Sequence, residues 1–275
     1  MEYKRQPNME TPVRRTGILL AAFGSSSPRG EKALSAFAEK TRRAFPGIPV
    51  RWAFTSDLMR SRLAAARKKT DSVQKALMRM AFERYTHVAV QSLHLIPGKE
   101  YEALLDEAQH AGTGAASLRI QVGLPLLYTE TDLSRAADSL LTHLPVERKL
   151  DEQVICVGHG TWHGGAASYQ SLSEHVRKVD PRIFIGTLEG EHAAENILPQ
   201  LDTGGSRIVW LLPLLSIIGK HAERDIAGNT PDSWQSRLRE AGFTCRPVLR
   251  GTVEYEGFAE IWLSHLASAL TLLAG

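Results

Sequence analysis

VICVGHGTWHGG, residues 154–165, changes character at its midpoint. Val154-Ile155-Cys156-Val157 is an apolar, β-branched run of the kind that becomes a buried strand, and Gly158-His159-Gly160 then breaks it. Glycines on both sides let the backbone turn tightly and leave one face of the imidazole open. A strand that ends on a presented histidine is a feature of α/β proteins, whose ligands collect at the carboxyl ends of parallel strands.

Working outward, the same alternation fills the chain. Thr16–Phe23, Pro49–Thr55, Thr86–Ser92 and Leu118–Leu124 read as strands, separated or followed by amphipathic helices at Glu31–Ala44, Ser72–Tyr85, Lys99–His110 and Asp132–Leu144. The second half repeats the order. Its strands are Gln153–Val157, Arg182–Leu188, Arg207–Leu212 and Phe243–Leu249; its helices lie near Ala167–Lys178, Ala193–Leu201, Ser233–Ala241 and Gly257–Leu273. Local text echoes too: Ala22-Phe23-Gly24-Ser25 parallels Gly158-His159-Gly160-Thr161. The pattern predicts two similar α/β domains, each a parallel four-stranded sheet flanked by helices, with a cleft between them. Residues 1–15 read as an extended or disordered tail, 16–147 as the first domain and 148–275 as the second, joined near the charge-rich Pro145–Glu152.

Composition sets the outer bounds. The chain has 275 residues, 43% hydrophobic and 23% charged, enough apolar material for a substantial core. A net charge of +3 without a Lys/Arg block gives no reason to expect nucleic acid, and no apolar run reaches the eighteen residues of a membrane span. Cys156 and Cys245 are too few for a disulfide framework or a thiolate zinc site and read as small buried hydrophobes. The N-terminus lacks an apolar leader, so a cytoplasmic protein is expected, with homo-oligomerisation left open.

Three side chains fall at strand ends of the second half: His159 after its first strand, Glu189 after its second, and His221 at a helix start after its third. They are separated by 30 and 32 residues, the interval of successive strand–helix units, so all three converge on one cleft. A lone loop histidine is ordinarily just solvated; the conjunction at equivalent positions is what points to a divalent first-row metal. Asp225, one turn beyond His221, is placed to hold its other ring nitrogen. His163 makes a four-residue spacing with His159, but the surrounding glycines argue against the helix that spacing would need. His94, after the third strand of the first half, reads either as cleft-facing or as a satisfied core residue. The loop Phe23-Gly24-Ser25-Ser26-Ser27-Pro28-Arg29-Gly30 offers amides and hydroxyls to an anion, or simply caps a helix. No dinucleotide fingerprint or P-loop occurs, so no nucleotide is expected, and no G-x-S-x-G elbow supports a hydrolase.

Gly158-His159-Gly160-Thr161, Thr187-Leu188-Glu189-Gly190 and Gly219-Lys220-His221-Ala222 leading to Asp225 together resemble the anaerobic cobalt chelatases of vitamin B12 synthesis, class II chelatases related in fold to ferrochelatase. Gln91-Ser92-Leu93-His94 and Gly98-Lys99-Glu100-Tyr101-Glu102 share that likeness, which runs from about Thr16 to the C-terminus. The resemblance implies a tetrapyrrole cleft and ATP-independent insertion of Co2+ into sirohydrochlorin, with His159, Glu189 and His221 as the metal-handling and catalytic set. It leaves Fe2+ insertion for sirohaem as an alternative, Ni2+ as a third ion, and a non-catalytic tetrapyrrole or metal carrier as a different class. Ser25, Ser26, Arg29, His94, Lys99 and Lys220 are then candidates for contact with the substrate and its carboxylates.

Overall fold

The computed structural model describes residues 14–115, 118–162, 164–219 and 221–275, with His221 and Ala222 described through their backbone alone. The first half runs β1 (Thr16–Ala22), α1 (Pro28–Ala44), β2 (Val50–Phe54), α2 (Asp57–Ala65), α3 (Val73–Phe82), β3 (His87–Ser92), α4 (Lys99–Gly114), β4 (Arg119–Gly123) and α5 (Glu130–Thr142). The second runs β5 (Gln153–Gly158), α6 (Ala167–Val179), β6 (Ile183–Thr187), α7 (Ala194–Ile197), β7 (Ile208–Pro213), α8 (Trp234–Glu240), β8 (Thr244–Pro247) and α9 (Glu256–Ala274).

Two four-stranded sheets form, ordered β2-β1-β3-β4 and β6-β5-β7-β8, and every strand pair is parallel. The two orders are the same, so the repeat suspected from the text is a repeat of topology. Central strands covered on both faces must be apolar at nearly every position. β5 is buried along its whole length, and β1 everywhere except Thr16. In each sheet the connections leave the first strand in one direction and return on its other side. The crevices at the carboxyl ends therefore open between β1 and β3 and between β5 and β7.

Sequence expectation and structure differ in three places. Asp57–Ala65 is a helix that the apolar pattern does not announce, because Leu63 is its sole buried residue; Ser56 caps it, accepting from the Met59 amide at 3.2 Å. The helix expected over Ala193–Leu201 is an α-helical turn at Ala194–Ile197 followed by a 3-10 turn at Leu198–Gln200, since Pro199 cannot donate the next helical bond. Arg14 and Arg15, read as tail, are docked: the Arg15 amide donates to Thr86 Oγ1 at 2.9 Å and the Arg14 guanidinium to Leu273 O at 2.9 Å. Residues 1–13 of the expected tail lie outside the described residues.

The halves share a core. One cluster joins Ile18, Leu20 and Leu34 of the first half to Val154, Ile185 and Trp262 of the second. α9, last in the chain, packs on β3, β4 and α5, while α5 packs on α6, so helices from the middle and the end of the sequence tie the two sheets together. By length and composition α9 could cross a membrane, but Phe258, Ile261, Trp262 and Leu266 are buried in this shared core. Cys156 and Cys245 are free thiols.

Candidate functional site

The Gly158-His159-Gly160 turn is built by contacts that explain each glycine. A Cβ on Gly158 would lie 2.6 Å from the Tyr169 ring, which packs beneath the strand end from α6. Gly160 has φ +88°, and a Cβ there would come within 2.0 Å of the Glu189 carbonyl oxygen. Only glycine fits that position, on both conformational and steric grounds. The turn after β6 mirrors it: Gly190 has φ +91° and closes on the Thr161 carbonyl oxygen, which a Cβ would approach to 2.9 Å.

Backbone bonds zip these turns together. The Leu188 amide donates to Gly158 O at 3.1 Å, the Glu189 amide to His159 O at 3.2 Å, and Thr187 Oγ1 to Glu189 O at 2.8 Å. Two of the three expected residues are thereby brought side by side. His159 Nδ1 stands 3.8 Å from Glu189 Oε1, and both side chains are about half exposed, at 47% and 49%. That separation is too long for a hydrogen bond. Two ligands that each sit roughly 2.1 Å from one ion stand at most about 4.2 Å apart, so the pair is close enough to share an ion. His221 opens a six-residue π-helical turn, His221–Ile226, directly after the β7 loop. β5 and β7 flank the second crevice, so the backbone places this residue on the far side of that crevice from Glu189. Asp225 in the same turn receives the Arg224 guanidinium, through NH2 at 3.1 Å. Among residues with described side chains, no three His, Cys, Asp or Glu gather at metal-binding distance. His163 and Lys220 lie outside the described residues.

The first half contributes the opposite wall. Ser27 Oγ donates to Ile218 O at 3.3 Å, and a Cβ on Gly30 would lie 3.1 Å from the same oxygen, so the β1 loop abuts the β7 loop that leads to His221. Gly165 presses on Pro97 and Gly98, which joins the β5 loop to the β3 loop. Ser25 is buried, its hydroxyl 3.1 Å from Ser27 Oγ and accepting from the Ser27 amide. Ser26 and Arg29 are exposed at the same loop, and Lys99 is exposed at the start of α4.

His94 is held from both sides, with Nδ1 2.9 Å from Ser92 Oγ and Nε2 3.2 Å from Thr55 Oγ1. Burial pushes its pKa down to about 4, against the opposing pull of the Glu100 carboxylate. It is a neutral ring fixed in the wall, and its two hydroxyl partners account for both nitrogens. His192, three residues beyond Glu189, is likewise shifted down by burial, with Glu191 opposing.

Two residues escaped the sequence reading. Glu100, exposed in the first turn of α4, carries a carboxylate that pulls the His94 pKa upward against burial. Tyr169 is 3% exposed, and burial raises its phenol to about 12. Glu100 stood in the stretch Gly98-Lys99-Glu100 and had a signal available: it follows a strand-end turn, as Glu189 does. Tyr169 had none, because its role comes from packing under Gly158.

A family model described as cobalt chelatase (CbiK) matches residues 16–271. "Sirohydrochlorin cobaltochelatase CbiKC" of Nitratidesulfovibrio vulgaris is 54% identical over 268 residues, covering 98% of this chain and 95% of that protein. "Sirohydrochlorin cobaltochelatase" of Salmonella typhimurium is 29% identical over 260 residues, covering 94% and 97%. Among solved structures, SirB from Bacillus subtilis with Fe3+ superposes with TM-score 0.64 at 15% identity, over 93% of this chain and 95% of that one. CbiX, described as the terminal enzyme for biosynthesis of siroheme in denitrifying bacteria, superposes with TM-score 0.58 at 14% identity, over 92% and 99%; both share the fold. With a sequence match spanning nearly every described element, the chain belongs to the cobalt chelatase (CbiK) family.

Proposed function

We propose that this chain inserts Co2+ into sirohydrochlorin, binding the ring in the cleft between its halves and using no nucleotide. The observation that carries the reading is the His159–Glu189 pair, open to solvent at the carboxyl ends of β5 and β6, in a chain 54% identical to a sirohydrochlorin cobaltochelatase.

The chemistry asks three things of the protein. The ring exchanges two pyrrolic N–H protons for one divalent ion, so the site must deliver the ion, accept two protons and expose the nitrogen lone pairs. His159 and His221 suit delivery: neutral imidazoles bind a first-row ion without neutralising it, and release it to four ring nitrogens that outbid them. Glu189 is the carboxylate beside His159 and serves as proton acceptor, as does either histidine once its ion has left. A ring bent in the cleft would turn its nitrogens toward this wall. Arg29, Lys99 and Lys220, beside the strand-end loops, are the cations proposed to meet the substrate's carboxylates, with Ser26 as a neutral donor. Asp225 is proposed to orient His221 through its second nitrogen. His and carboxylate donors do not by themselves separate Co2+ from Fe2+ or Ni2+, so the preferred ion is a matter for direct competition.

The test is spectrophotometric metallation of sirohydrochlorin under anaerobic conditions. His159→Ala and His221→Ala are expected to abolish insertion with folding retained; cobalt uptake near the wild-type rate in either would overturn the assignment. A protein that binds the ring without accelerating metal uptake would be a carrier.

A further inference from the structure

The two halves match position for position at their first strand ends. β1 ends at Ala22 and β5 at Gly158; the next residue is presented, and a left-handed glycine follows, Gly24 at φ +99° and Gly160 at φ +88°. The presented residue of the second half is His159. Its counterpart in the first half is Phe23, an aromatic ring that is 39% exposed. Its position is fixed from below, since Gly24 closes on Phe54 and Met59, which a Cβ would approach to 2.9 Å. The same loop reaches across to Ile218 through Ser27, so Phe23 lies four residues before the point where the first half meets the β7 loop.

A second exposed aromatic lies in the other half. Trp162 is 76% exposed, three residues beyond His159. The loop that carries it is anchored at Thr161 against Gly190 and at Gly165 against Pro97 and Gly98 of the other half. Trp162 therefore sits between two anchors, one on the turn after β6 and one on the β3 loop of the other half. Indole and phenyl groups are normally well covered, and leaving both exposed on strand-end loops forgoes the gain of burying them. A flat, conjugated ligand recovers it.

We propose that Phe23 and Trp162, one from each half, form an aromatic grip on the tetrapyrrole macrocycle, dividing ring binding from the ion handling done beside them. This rests on the reading of the ligand as a tetrapyrrole. The grip sets affinity for the ring and leaves the affinity for the bare ion alone, because neither side chain carries a donor suited to a divalent metal.

The experiment measures equilibrium binding of metal-free sirohydrochlorin to the full chain by absorbance and by quenching of tryptophan emission. In parallel, Co2+ is titrated without the ring. Phe23→Ala and Trp162→Ala are each expected to weaken ring binding roughly tenfold. Trp162→Phe should stay within about threefold of wild type, as befits a ring-for-ring exchange. Phe23→Leu keeps apolar bulk for folding and should fall between wild type and Phe23→Ala. Co2+ affinity should remain within about twofold throughout. Ring affinity unchanged in either alanine variant overturns the pair, as does a loss of ring binding matched by an equal loss of Co2+ binding. Failure of the wild-type chain itself to bind the ring is a different outcome, and it removes the proposed function instead.

Discussion

Replacing Asp132 by alanine tests how the C-terminal helix holds the two halves together. Asp132 is 4% exposed and His265, on α9, is 8% exposed. Asp132 Oδ1 lies 2.9 Å from His265 Nε2, and His265 Nδ1 donates to Leu124 O at 3.0 Å. The other carboxylate oxygen accepts from the Thr129 amide at 2.9 Å and from Thr129 Oγ1 at 2.6 Å, closing the capping box of α5. Alanine removes both functions. Breaking one side of a buried pair costs about 3–5 kcal/mol, and losing a helix cap about 0.5–2 kcal/mol. The two losses share one side chain and overlap, so we expect about 4 kcal/mol in total. That is a large part of the roughly 5–15 kcal/mol that holds a typical domain, and it corresponds to roughly 10 °C in Tm. Asp132→Asn keeps an acceptor for Thr129 and should cost about 2 kcal/mol, the range of a hydrogen bond to a charged group. Urea unfolding at pH 7, followed by far-UV circular dichroism, measures both. A shift below about 1 kcal/mol for Asp132→Ala would refute the idea that this pair clamps α9.

Other outcomes follow from the site and the core. Gly160→Ala should abolish cobalt insertion and cost roughly 2 kcal/mol or more, because it strains a left-handed turn and collides with Glu189 O; near-normal turnover would show that the turn can be rebuilt. Glu189→Gln should lower kcat for insertion by more than tenfold with little change in ring affinity, whereas equal effects on both would mark a merely structural carboxylate. His94 makes stability depend on acid. Its folded pKa of about 4 lies below the unfolded value near 6.5, so between these limits the unfolded chain binds the extra proton. Stability should then fall as pH drops from about 6.5 to 4, by at most about 3 kcal/mol. A His94→Gln variant should lose that slope, and an unchanged slope would assign it elsewhere. Burial raises the Cys156 thiol to about 12 and the Cys245 thiol to about 11, so both should resist alkylation at pH 8 until urea unfolds the chain; rapid labelling of the native protein at Cys156 would contradict its burial.

Local pattern determined a great deal. All eight strands were legible, because a buried parallel strand must be an apolar run and its end must be a turn; Val154–Val157 running into Gly158-His159-Gly160 states both within seven residues. That His159 and Glu189 should lie close together was legible for the same reason, since strand ends in this topology share one rim, and their side chains approach to 3.8 Å. Elements without an apolar stripe were silent. α2 buries Leu63 alone, so no periodicity marked it. Tertiary structure alone decided the rest. Asp132 finds His265 at a separation of 133 residues, and His265 shows no pattern in its own helix. α9, written at the end of the second half, closes over the sheet of the first, and Gly165 meets Pro97 across the cleft. Periodicity records which face of an element is buried, but not which distant surface buries it. That choice is made by the shapes of whole faces as they pack.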